Sequence, residues 1–139
     1  MYHSKLNIPQ KTDLGPSFTV YETIMSYLPV TAPFDAIICS MSFHHYPNPQ
    51  AFFNSVKRCL RPKGRLILRD VTSDNKPLVW LMNKIEMPLA NLCGHGDVQV
   101  PTRDLVYKCC KEADLAIEKF EIRKGMRLHC VVRKEGDSK

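Results

Sequence analysis

Phe34-Asp35-Ala36-Ile37-Ile38-Cys39, then Asn48-Pro49, then Arg61-Pro62-Lys63-Gly64-Arg65-Leu66-Ile67-Leu68-Arg69-Asp70 is the stretch whose reading decides the fold. Ala36 to Cys39 is a continuous apolar run, the pattern of a strand buried on both faces. Asn48 supplies an N-cap, and Pro49 fits the first helical position, where a missing N–H costs nothing. Phe52, Val56, Cys59 and Leu60 recur at helical spacing and lay one apolar stripe along that helix. Arg61-Pro62-Lys63-Gly64 ends it, since proline cannot continue a helix and glycine tolerates a reversed backbone. Leu66-Ile67-Leu68 is a second buried strand, closing at Asp70. About two dozen residues carrying a helix separate the strands. A hairpin needs far fewer, so the pair is parallel and joined by a right-handed crossover.

Working outward, a helix starts near Asn75-Lys76-Pro77, with Leu78, Leu81, Met82, Ile85 and Leu89 as its apolar face and Pro88 as a kink or stop. Thr102 caps another helix carrying Leu105, Val106, Cys109, Cys110 and Ala113 on one side. Ile117–Arg123, a turn at Lys124-Gly125, and the alternating Met126, Leu128, Cys130 and Val132 read as a terminal hairpin. The body, 34–133, is thus an α/β unit on a mixed sheet of at least four strands. A weakly patterned head, 1–33, precedes it and a polar tail, 134–139, follows.

At 139 residues with 44% hydrophobic and 24% charged residues, the chain has the composition of one ordinary globular domain. The net charge of +6 is densest at Lys57, Arg58, Arg61, Lys63, Arg65 and Arg69. No aromatic interleaves that run, so it reads as a solvated face rather than a nucleic-acid footprint. Of the six cysteines, Cys39, Cys59 and Cys130 fall in apolar periodic segments, as buried free thiols do. The apolar stretch Leu78–Leu92 is broken by Asn83, Lys84, Glu86 and Pro88, so no membrane span is expected. Together these features lead to an expectation of a reduced, cytoplasmic protein.

In open α/β sheets, ligands sit outside the carboxyl ends of the parallel strands. Here those ends are Ser40–Tyr46 and Asp70–Ser73. His44-His45 is the most chemically distinctive pair. Neighbouring imidazoles without a third ligand at helical spacing make a poor metal site. They suit a general base or a substrate-orienting pair, or they pack structurally. Asp70 either contacts a ligand or ends its strand. Cys93-Gly94-His95-Gly96-Asp97 carries a lone G-x-G between two helices, with Gln99 in the third glycine position; it reads as a loop over the crevice, not a dinucleotide loop. Cys109-Cys110 reads as helix core rather than a redox pair. The sequence contains no G-x-x-x-x-G-K-[ST], G-x-S-x-G or C-x-x-C.

Phe34-Asp35-Ala36-Ile37-Ile38-Cys39, Phe43-His44-His45-Tyr46-Pro47-Asn48-Pro49 and Arg58-Cys59-Leu60-Arg61-Pro62-Lys63-Gly64-Arg65-Leu66-Ile67-Leu68 together resemble the second half of class I S-adenosylmethionine-dependent methyltransferases of the ubiquinone/menaquinone-biosynthesis (type 11) kind. The likeness is dense over Pro33–Asp70 and thinner over Pro77–Val132. It implies a partial Rossmann-like sheet: strands 4 and 5 of the family order 3-2-1-4-5-7-6, parallel, plus the terminal antiparallel pair, with helices on both faces. It also implies S-adenosylmethionine as cofactor, contacted by Ser40, Met41 and Ser42. His44 and His45 would then be catalytic, and Phe43, Tyr46, Asp70 and Asp97 would lie on the side of a small-molecule acceptor. The first 33 residues hold one glycine, Gly15, where the family has a glycine-rich cofactor loop, and Ile24 stands at its acidic position. The expectation is therefore a methyltransferase that is truncated or shares its cofactor site with a partner piece, the alternative being a non-catalytic remnant or subunit of the fold. The edge at 36–40 needs a cover: Ser17–Glu22, a second copy of the chain, or a separate amino-terminal half.

Overall fold

The computed structural model describes residues 34–94, 96 and 98–134. The head, with Gly15, Ser17–Glu22 and Ile24, lies outside the described residues, as do His95, Asp97 and residues 135–139. Strand β1 (Phe34–Ser40) leads through a 3-10 turn (Phe43–His45) into helix α1 (Pro49–Cys59) and strand β2 (Leu60–Val71). Helix α2 (Lys76–Leu81), a π turn (Met82–Glu86) and helix α3 (Met87–Leu92) run on continuously. Helix α4 (Arg103–Glu112) precedes the hairpin of β3 (Leu115–Arg123) and β4 (Arg127–Lys134).

The sheet has the order β1-β2-β4-β3. β1 and β2 are parallel, with Ile38 opposite Ile67 and Ser40 opposite Arg69. β4 is antiparallel to both β2 and β3. The expected caps form: Asn48 accepts from the Ala51 N–H, Asn75 from Leu78 and Thr102 from Leu105, each satisfying an orphan first-turn donor. α1 and α4 pack on one face of the sheet. Phe52, Phe53, Val56 and Cys59 of α1 and Val106, Cys109 and Cys110 of α4 are buried, as are Leu66, Leu68, Leu128, Cys130 and Val132 beneath them. Burial pushes the Cys130 thiol up to about 12 and raises those of Cys109 and Cys110 as well, which leaves them inert fillers of the core.

Three expectations need correction. β1 is not buried on both faces, because Ala36, Ile38 and Ser40 are exposed and Ile38 is 69% accessible. Gly64 is not the reversed residue after α1. Lys63 takes the left-handed conformation at φ 65°, and Gly64 is needed for space, since a Cβ there would meet the Arg61 and Phe34 carbonyl oxygens at 2.9 Å. Arg61–Gly64 forms a bulge within the β2 ladder, between the Phe34–Leu60 and Ala36–Arg65 pairings. Finally, the helix from Lys76 takes the kink rather than the stop at Pro88, and it does not face as expected. The π turn before Pro88 accommodates a residue that lacks an N–H, so the helix continues to Leu92. The buried positions are Val79 and Met87, while Leu81, Ile85 and Leu89 face outward.

Candidate functional site

The crossover sets the carboxyl ends of β1 and β2 side by side, and the chain beyond each builds one wall of the site. Met41 donates its N–H to the Arg69 carbonyl at 2.8 Å, extending the ladder past Ser40. Met41 is left-handed at φ 50°, an uncommon conformation for a side chain of its size, and its backbone reverses there. That reversal leaves Ser40 and Met41 exposed on the crest and sends Phe43 down into the core.

Phe43 is 2% exposed and packs edge-on against Phe53, with Phe52 and Tyr46 completing an aromatic cluster. Tyr46 is buried as well, and its hydroxyl lies 3.2 Å from Ser42 Oγ, which in turn lies 3.3 Å from Cys39 Sγ. These side chains anchor the turn from below. With the turn held, His44 and His45 stand at the surface of the wall, their ring centroids 3.9 Å apart.

The sequence names His44 and Asp70 separately; the fold joins them. His44 Nδ1 lies 2.7 Å from Asp70 Oδ1, and the His44 backbone N–H donates to Asp70 Oδ2 at 3.2 Å. Asp70 Oδ1 also accepts from the Val71 N–H. The Asp70 side chain is wholly buried, while the His44 side chain keeps 12% of its surface. An ionised carboxylate only accepts, so Nδ1 carries the proton and Nε2 is the basic nitrogen of the ring. A buried carboxylate that orients an imidazole in this way is an arrangement suited to proton transfer.

A second segment closes over the pair. His45 Nδ1 lies 3.1 Å from the Gly96 carbonyl, and the His44 carbonyl accepts from the N–H groups of Val98 and Gln99. Asn83 of the π turn accepts from the Val100 N–H at 2.7 Å, and buried Thr72 donates its hydroxyl to the Pro101 carbonyl. The loop expected to lie over the crevice is therefore stapled to it. The Gly96 carbonyl was not legible as a partner of His45, because backbone acceptors leave no trace in residue type. Among the described residues no group of three or more His, Cys, Asp or Glu side chains could hold a metal ion, and no helix is long and apolar enough to cross a membrane.

Ser40, Met41, His44, His45 and Asp70 thus converge at one end of the parallel pair, and Asp97 lies outside the described residues. A cavity of 590 Å³ opens beside them, with Ser40 and Met41 on its rim.

Comparison with known proteins agrees with this geometry. A sequence profile described as methyltransferase domain matches residues 5–119. An uncharacterized methyltransferase of Schizosaccharomyces pombe is 29% identical over 68 residues, which cover 49% of this chain and 24% of that protein. The chain therefore spans about a quarter of that curated relative's length. Among solved structures, an S-adenosylmethionine-dependent methyltransferase of Clostridium acetobutylicum superposes with a TM-score of 0.58 at 12% identity, over 81% of this chain and 63% of that one. An O-methyltransferase family 2 protein of Planctomyces limnophilus, solved in complex with apigenin, gives 0.57 at 18% identity, over 78% and 32%. With a mixed sheet of this fold and a family profile that spans most of its length, the chain belongs to the methyltransferase domain family, whose cofactor is S-adenosylmethionine.

Proposed function

We propose that this chain carries the acceptor side of an S-adenosylmethionine-dependent methyl transfer to a small molecule, with His44 as the base. The observation that carries the reading is the 2.7 Å contact between His44 Nδ1 and the buried carboxylate of Asp70, at the end of the strand pair where ligands of open α/β sheets bind. The wall beside it fits the cofactor's methionine end: the left-handed turn at Met41 presents the Ser40 hydroxyl and the Met41 side chain outward. Ser40 and Met41 would hold that end, with Ser42 and Tyr46 bracing the turn behind them. When bound, the cofactor supplies an electrophilic methyl group.

The protein's part is positioning and proton removal. His44 Nε2 takes the proton from the acceptor's hydroxyl or amine as its lone pair is committed to the new bond. The resulting imidazolium keeps its Nδ1–H on the buried Asp70 carboxylate, which offsets the charge. His45, held by Gly96, packs on the His44 ring and restricts its rotation. Phe43 and Tyr46 act from beneath, as braces of the turn rather than acceptor contacts. In this reading the type 11 likeness extends to function, and the chain corresponds to the carboxyl-terminal half of such a domain.

Calorimetric titration with S-adenosylhomocysteine tests the proposal. Saturable binding by the chain, or binding restored by adding a fragment with strands 1 to 3 of such a domain, supports it. No binding under either condition overturns it and leaves the non-catalytic subunit.

A further inference from the structure

We propose that the cavity between the ends of β2, β3 and β4 is a binding site for a small molecule carrying a phosphate or diphosphate group. Its lining brings together Arg69 from β2, Arg123 and Lys124 from the end of β3 and its turn, and Arg127 and His129 from β4. Ser40, Met41 and Asp70 border the same cavity, so the anion site adjoins the wall proposed for the cofactor, but anion binding there needs no methyl transfer and is read without it.

The register makes the crowding of charge explicit. Arg127 is directly opposite Arg123 on β3, and Arg69 is directly opposite His129 on β4. Like charges facing each other across an antiparallel pair destabilise it unless a counter-charge intervenes. Little does. Glu121 is divided between Lys119 and Arg123, at 2.9 and 3.0 Å. Asp70, on the lining, is held by His44. Among the described residues no carboxylate pairs with Arg69, Lys124 or Arg127.

His129 gives an independent sign. Its Nδ1 is buried without a hydrogen-bond partner among the described residues, a costly state for a polar atom. Burial, then the charges of Arg123, Arg69 and Lys119, lower its pKa, against which Glu121 acts weakly. A multivalent anion in the cavity would relieve the repulsion. Guanidinium groups suit it, because their paired N–H donors match phosphate oxygens. The concave form and 590 Å³ volume suit a small molecule. A duplex would instead need a row of cations along an open face.

The test is calorimetric titration of the full chain with inorganic pyrophosphate, without S-adenosylhomocysteine. The expected result is saturable binding with a Kd of about 1 mM or tighter, weakened about tenfold or more in R69Q/R127Q. Both side chains are exposed, so the variant should fold, and a thermal melt verifies this. K108Q/K111Q removes the same charge from α4 and should bind within about twofold of the parent. In NMR titrations, pyrophosphate should raise the midpoint of His129. Absence of saturable binding, or equal weakening in both double variants, overturns the proposal. So does tight binding of a duplex DNA probe with none of pyrophosphate.

Discussion

At the scale of single residues, the weight falls on His44 and Asp70. Replacing His44 by Gln should lower kcat about 100-fold or more while leaving binding of S-adenosylhomocysteine within about twofold. Asp70→Asn should also lower kcat, and because the side chain is buried with three hydrogen bonds it should cost about 1–3 kcal/mol of stability. Kinetics and chemical denaturation of the two variants separate these effects. His129 predicts a pH dependence of its own. Its folded pKa lies below the ordinary 6.5, so the unfolded chain takes up that proton first as pH falls. Its contribution to stability should therefore drop as pH falls through 6.5 and level off below the depressed folded value, and His129→Gln should remove that component from the denaturation curves. His44, His45 and Asp70 were visible in the sequence as crevice residues. Their pairing was not, because it depends on a register that sets two strand ends, 26 residues apart, side by side. Arg69, Arg127 and His129 were visible only as members of separate strands, and their meeting has the same cause.

At the scale of elements, the order β1–α1–β2 was legible from the Asn48 cap and the apolar stripe through Cys59, whereas the expected breaker Arg61–Gly64 is a bulge inside β2. What the pattern missed was steric. Gly64 is fixed by two backbone carbonyls, so Gly64→Ala should destabilise by about 1–3 kcal/mol. Loss of the Asn48 cap in Asn48→Ala should cost about 1 kcal/mol. Thermal melts would measure both. The run from Lys76 to Leu92 misled for a different reason. A straight 3.6-residue period places Leu81, Ile85 and Leu89 inside, but Leu81 is already exposed before the π turn, and the turn then shifts the phase of the residues that follow it. Pro88 signals a break in the hydrogen-bond ladder without saying whether the helix ends or widens to absorb it.

At the scale of the whole molecule, the described sheet buries one face under α1 and α4 and leaves β1 as an edge strand with Ile38 open. An exposed apolar edge of this kind invites pairing. Sedimentation should therefore find a species larger than the monomer, or a monomer only when a partner piece is added; a monodisperse monomer of the chain alone would contradict this. The fold and the family were legible because they rest on local pattern. Whether cofactor and base meet at one place is a property of the assembled molecule, and an amide NMR titration with S-adenosylhomocysteine, with the partner fragment if it is needed for binding, measures it most directly. Shifts concentrated at Ser40–His45 and Asp70, with α1 and the Arg61–Gly64 bulge unmoved, are the expected result. Shifts confined to other elements, or saturable binding that leaves Ser40–His45 unchanged, would contradict it.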